Sequence, residues 1–218
     1  MRKVRKKGDL KKLIIAEKPS VARNIADALG IRGRQNGYIE GEDYVITWVF
    51  GHLLQLYDVK DYDESRKNWR MENFPFIPDT FQYKIKSDNN NKNVIDAGAE
   101  KQIRIIQSLM ERNDVEGVVS ATDYDREGQI IADELFLYLK TEKPVERLLL
   151  NEWTRDEVLS GLGKLRLNSE LQPMQDAGFG RQIADWLIGI NLTSVATVKY
   201  QNSITIKYLI SDVCCFLH

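Results

Sequence analysis

The feature that most constrains this chain is a repeated pairing: a short apolar run followed by a stretch of helical period. Leu13-Ile14-Ile15-Ala16 is such a run, and Pro19-Ser20 then opens a stretch with Val21, Ile25, Ala28 and Leu29 in phase, closed by Gly30. Short apolar runs suit strands buried on both faces. Proline early and glycine just past the end is the asymmetry expected of a helix. The pairing returns further on. Ile95 to Met110 carries Ile103, Ile106, Leu109 and Met110 at helical spacing, Val115 to Ala121 reads as a strand, and Gly128 to Leu139 as a helix. Val145 to Leu150 reads as another strand. Thr154 to Leu162 follows as a helix, with Thr154 as N-cap and Glu157 completing a capping box. Alternation of this kind predicts an α/β fold, a parallel sheet covered by helices on both sides.

Between these pairs, Tyr38 to Phe50 reads as a hairpin turning around Gly41-Glu42-Asp43, followed by the loop Gly51-His52-Leu53-Leu54. Residues 55–80 are polar, aromatic and proline-containing, and read as irregular. Phe81 to Ile85 alternates like a strand, and Ser87 to Asn93 is an asparagine-rich loop. After about Trp153 the pattern becomes mainly helical, with a long candidate helix from Leu171 to about Val198. The expected organisation is a basic extension over 1–12, an α/β domain over 13–152, a helical region over 153–200 and a tail over 201–218.

Composition removes several classes of protein. The two cysteines, Cys214 and Cys215, are adjacent, so they make neither a disulfide framework nor a spaced zinc site. No apolar run approaches the roughly 18 residues of a membrane span. The basic start, Met1 to Lys7, is not followed by the apolar segment of a signal peptide. The cytoplasm is the expected location. A net charge of −1 excludes a globally basic DNA-coating protein but not local contact with nucleic acid. The seven Lys or Arg that face one Asp over residues 2–12 read first as a solvated terminus.

The informative segment is Ser120-Ala121-Thr122-Asp123-Tyr124-Asp125-Arg126-Glu127-Gly128, where a strand ends and a helix begins. Ligand sites of open α/β sheets form there, outside the carboxyl ends of strands. Asp123, Asp125 and Glu127 crowd one turn, and like charges that close repel unless neutralised. A divalent cation relieves them, and hard oxygen ligands suit Mg²⁺. The plainer alternative is a set of solvated acids dressing a helix start, where anions are favoured by roughly 0.3–1 kcal/mol each. Glu17 shifts the balance toward metal. It too follows a short strand and precedes a proline-led helix, so neighbouring strands would bring a fourth carboxylate, and Lys18, to the same edge.

Ile14-Ile15-Ala16-Glu17-Lys18-Pro19-Ser20 and Asp123-Tyr124-Asp125-Arg126-Glu127-Gly128 resemble the two motifs of a Toprim domain. Four further stretches resemble type IA DNA topoisomerases of the topoisomerase III kind. They are Ala22-Arg23-Asn24-Ile25-Ala26, Thr47 to Leu54 with its Gly51-His52-Leu53, Trp69 with Phe74-Pro75-Phe76-Ile77-Pro78, and Arg181 to Thr193. The resemblance runs from about Leu13 to about Tyr200. It implies a Rossmann-like Toprim sheet followed by a mainly helical fragment, and a Mg²⁺-dependent enzyme that cuts, passes and reseals single strands of DNA.

By this resemblance Asp123, Asp125 and Glu127, with Glu17, would hold Mg²⁺. Glu17 would also face the scissile phosphate, Lys18 would be a point charge for it, and His52 would join the catalytic group. Arg181 would contact the DNA backbone with Asp185 orienting it, although residues four apart also form simple intrahelical ion pairs. Ile183, Trp186 and Ile190 share helical spacing and read as core. Arg126 fits either a carboxylate or a phosphate, and Lys199 reads as a solvated end. No tyrosine has the setting of the family's nucleophile. Tyr124 lies inside the acidic segment, but alternation points it away from Asp123 and Asp125. The chain therefore reads as truncated before the cutting tyrosine. The alternatives are another Toprim enzyme, such as a nuclease using metal-activated water, or a fragment that only binds DNA.

Overall fold

The computed structural model describes residues 10–66, 68 and 70–200; Trp69, Cys214, Cys215, the basic segment up to residue 9 and the tail over 201–218 lie outside them. In chain order the elements are β1 (Lys11–Ala16), α1 (Pro19–Ala28), β2 (Gly33–Arg34), β3 (Tyr38–Glu40), β4 (Tyr44–Trp48), β5 (Leu54–Leu56) and α2 (Val59–Tyr62). There follow β6 (Tyr83–Ile85), α3 (Ala97–Met110), β7 (Val115–Ala121), α4 (Arg126–Leu139), β8 (Val145–Arg147), α5 (Arg155–Leu162), β9 (Arg166–Leu167), α6 (Gln172–Ile188) and α7 (Ser194–Tyr200).

Seven strands form one sheet in the order β2-β3-β4-β1-β7-β8-β9. Its centre is parallel, as expected: β1 pairs in parallel with β4 and β7, and β7 with β8. The margins are antiparallel: tight turns join β2, β3 and β4, and β9 returns beside β8 after α5. Leu13, Ile14, Ile15 and Ala16 are all fully buried, which is why β1 reads as an unbroken apolar run. Burying a leucine or isoleucine of this kind contributes about 1.5–3 kcal/mol. Ile14, Ala16, Ile46, Val119 and Ala121 pack with Val21 and Ile25 of α1 and Val158 of α5. Alternation along the strands sends Thr47 to the opposite face, where its hydroxyl accepts a 3.0 Å hydrogen bond from Gln102 of α3.

The chain divides into two compact units that interleave in sequence, 10–55 with 85–178 and 56–84 with 179–200. The first holds the seven-stranded sheet and α1, α3, α4 and α5. In the second, Trp186 packs on Phe76 and Phe81 with ring centroids 6.2 and 5.5 Å away, so its place is among aromatic neighbours. Asn191 clamps the Phe76 backbone, accepting from its N–H at 2.6 Å and donating to its carbonyl at 3.0 Å.

Two local expectations change. Thr154 stands at the N-cap of α5, but its side chain makes no capping hydrogen bond, so the capping box does not form. Asp156 and Glu157 lie in that first turn, where the helix dipole favours acids without any cap. The long helix expected from Leu171 forms, but with a wider π turn at Gly189–Thr193 between α6 and α7.

Candidate functional site

Parallel pairing of β1 with β7 sets Ala16 opposite Ala121, so the residues that follow each strand emerge at one edge of the sheet. Glu17 and Asp123 meet there: the Asp123 backbone N–H donates to Glu17 Oε2 at 2.8 Å. Lys18 Nζ stands 3.7 Å from Glu17 Oε1 and 3.8 Å from Asp123 Oδ2, half exposed between the two motifs. Asp125 is the N-cap of α4, its Oδ1 accepting from the Gly128 N–H at 2.7 Å. Gly128 is obligatory for a steric reason, since a Cβ on it would lie 2.2 Å from the Asp123 carbonyl oxygen. That close approach folds the acidic segment back over the first turn of α4. Tyr124 is 46% exposed.

Gly51 adopts φ +75°, a left-handed conformation that a side chain rarely takes, and it turns the loop after β4 toward α4. His52 then sits between two glutamates. Its Nε2 lies 2.7 Å from Glu127 Oε1, and its Nδ1 lies 2.6 Å from Oε1 of the buried Glu134. Ionised carboxylates only accept, so each ring nitrogen donates and the imidazole carries a charge. Burial by itself would lower its pKa, but the hydrogen bonds and charges of Glu134 and Glu127 outweigh it and raise the value to about 9.

A cation that the sequence did not suggest lies beneath this edge. Arg147, at the end of β8, is fully buried. Its guanidinium donates to Ser120 Oγ at 2.7 Å, to Thr122 Oγ1, and to the Asp123 carbonyl at 3.2 Å. Burial pushes its pKa down, while the charges of Asp133, Asp125, Glu17 and Asp123 push it back up. Asp133, also buried, is held in turn by Gln129 and Asn168 at 2.6 and 2.7 Å. Arg147 is a fixed counter-charge to the acidic segment. In the sequence Arg147 stands next to Glu146, ahead of Leu148-Leu149-Leu150, and looks like an ordinary charged pair.

The oxygen donors suit a hard divalent ion in kind. Among the described residues, though, no group of three His, Cys, Asp or Glu side chains is arranged to hold a metal. Protein donors take one oxygen of Glu17, Asp125 and Glu127, and each keeps a second oxygen outside those bonds. That is enough for Mg²⁺, which keeps several waters and commonly takes only one or two carboxylates. Arg181 and Asp185 belong to the second unit, where they face each other at 3.5 Å on α6, with Arg181 65% exposed.

A parallel-centred sheet with acids at the carboxyl ends of two adjacent strands defines a class, and comparison with known proteins agrees: residues 12–153 match the Toprim domain model. The chain belongs to the Toprim domain family. Its sequence relatives include DNA topoisomerases 3. It is 38% identical over 197 residues to DNA topoisomerase 3 of Staphylococcus haemolyticus, which covers 90% of this chain and 26% of that protein. DNA topoisomerase 3 of Staphylococcus aureus strain USA300 is 35% identical over the same shares. Full-length topoisomerase I of Thermotoga maritima shares the fold, with a TM-score of 0.55 at 21% identity over 85% of this chain and 26% of that one. The chain thus spans about a quarter of the length of these relatives. Among the described residues, no helix is long and apolar enough to cross a membrane.

Proposed function

We propose that this chain is the metal- and phosphate-handling part of a type IA DNA topoisomerase, which cuts, passes and reseals single-stranded segments of DNA in the cytoplasm. The observation that carries the reading is the meeting of Glu17 with the Asp123 backbone at one sheet edge, which joins two motifs over a hundred residues apart. Asp123, Asp125 and Glu127, with Glu17, would hold Mg²⁺. When bound, the ion supplies positive charge for the phosphate and leaving oxygen of the cut strand. Lys18 provides a point charge at the same edge. Glu17 would exchange a proton with a strand's hydroxyl, and His52 would fix Glu127. Arg181, oriented by Asp185, takes the DNA backbone.

The test is incubation of the purified chain with negatively supercoiled plasmid, with and without Mg²⁺. The expected result is DNA binding that strengthens with Mg²⁺, without relaxation by a chain that spans 26% of its relative's length. Nicking without resealing would move the chain to the metal-dependent nucleases. Binding indifferent to Mg²⁺ would overturn the metal assignment and leave a DNA-binding fragment.

A further inference from the structure

Glu127 and Glu134 lie seven residues apart on α4, two turns along one face of the helix. Their surroundings differ sharply. The Glu127 side chain is 65% exposed at the acidic edge, whereas that of Glu134 is 1% exposed. A carboxylate so deeply buried is costly unless paired and hydrogen-bonded. His52 bridges the two, with Nδ1 at 2.6 Å from Glu134 and Nε2 at 2.7 Å from Glu127. It arrives from a different element, after the positive-φ turn at Gly51. The order is therefore buried acid, imidazole, exposed acid. A carboxylate on one ring nitrogen of a histidine fixes the ring plane presented by the other.

We propose that Glu134 is a positioning residue: a buried anion that locks the His52 ring and, through it, holds the Glu127 carboxylate in place at the acidic edge. The functional meaning of that hold rests on reading Glu127 as a metal ligand. The hold itself is a property of the protein alone. Glu127 is anchored by one oxygen before any ion arrives, so less order has to be gained on binding.

The chain has two histidines, His52 and His218, so its imidazole ¹H–¹⁵N spectrum is simple enough to resolve, and His52→Gln assigns it. Without metal, the His52 Nδ1 proton should be visible, far downfield and slow to exchange. Glu134→Gln should remove that signal and leave His218 unmoved. Glu127→Gln should shift the His52 Nε2 resonance in the wild type, and by at least threefold less in the Glu134→Gln background. An unchanged Nδ1 signal in Glu134→Gln, or an equal response to Glu127→Gln in both backgrounds, would overturn the proposal. If Glu134→Gln does not fold, the wild-type spectrum decides, since absence of a protected Nδ1 proton overturns it and presence supports it. Titrating the wild type with Mg²⁺ separates the two readings. A His52 spectrum indifferent to Mg²⁺ counts against the metal site while the Nδ1 signature still supports the lock.

Discussion

The two ends of the same parallel strands carry charge in opposite ways. At the amino ends of β1 and β7, acids and bases are matched. Lys11 and Arg112 both hold Glu40, at 2.7 and 2.6 Å, Arg112 also holds Asp114 at 2.7 Å, and Lys12 holds Glu146. At the carboxyl ends, Glu17 and Asp123 flank Lys18, Asp125 caps α4 and Glu127 meets His52, with Arg147 buried beneath. The first arrangement ties loops to the sheet and needs nothing more. The second leaves negative charge concentrated at one strand edge, which is a cost to folding and an attraction to cations. Charge left unmatched by the fold marks where a ligand is expected.

The comparison breaks most visibly under substitution at the acidic end. Asp123→Asn with Asp125→Asn should abolish Mg²⁺ binding by calorimetry while the chain stays folded, because asparagine caps α4 about as well as aspartate does. Unchanged affinity would sink the site assignment. Glu40→Gln, at the matched end, should leave Mg²⁺ affinity alone and cost about 1 kcal/mol of stability or less.

Arg147→Met comes next. It leaves the Asp123 carbonyl and the Ser120 and Thr122 hydroxyls without their buried donor, and should cost about 3 kcal/mol in urea unfolding, partly recovered by Arg147→Lys. A loss near zero would make Arg147 mere filling rather than a counter-charge.

Acid sharpens the contrast from the other end. The hydrogen bond from Arg112 brings the Asp114 pKa from 3.8 to about 2, and Glu40 is lowered by the same guanidinium. A carboxylate whose pKa falls on folding stabilises the protein above its unfolded value, and that stabilisation drains away as pH drops through the folded one. Thermal stability should therefore decline between about pH 3.8 and pH 2, and Arg112→Ala should flatten that decline. Equal slopes in both proteins would remove the bridge from the account.

The smallest effect belongs to Arg181→Ala, a surface change on α6. It should weaken single-stranded DNA binding at low salt and reduce the salt slope by about one. An identical isotherm would return Arg181 to a plain ion pair with Asp185.

By itself the sequence determined what is local or periodic. The apolar runs of β1 and β7, the proline that opens α1 and the glycine that follows it are legible because strand, helix and turn preferences act over a few residues. The two acidic motifs could be read for the same reason: each lies where a strand hands over to a helix. Only the tertiary structure decided what depends on distant neighbours. The order of the strands sets Glu17 beside Asp123. The interleaving of residues 56–84 with those after 178 is invisible to any local pattern. Arg147 and Glu134 look like ordinary charged residues until the fold buries them. Whether a buried charge is tolerated depends on partners brought from other elements, here Ser120 and Thr122 for Arg147 and His52 for Glu134. Pairing energy is a property of three-dimensional neighbours, and a sequence window does not contain them.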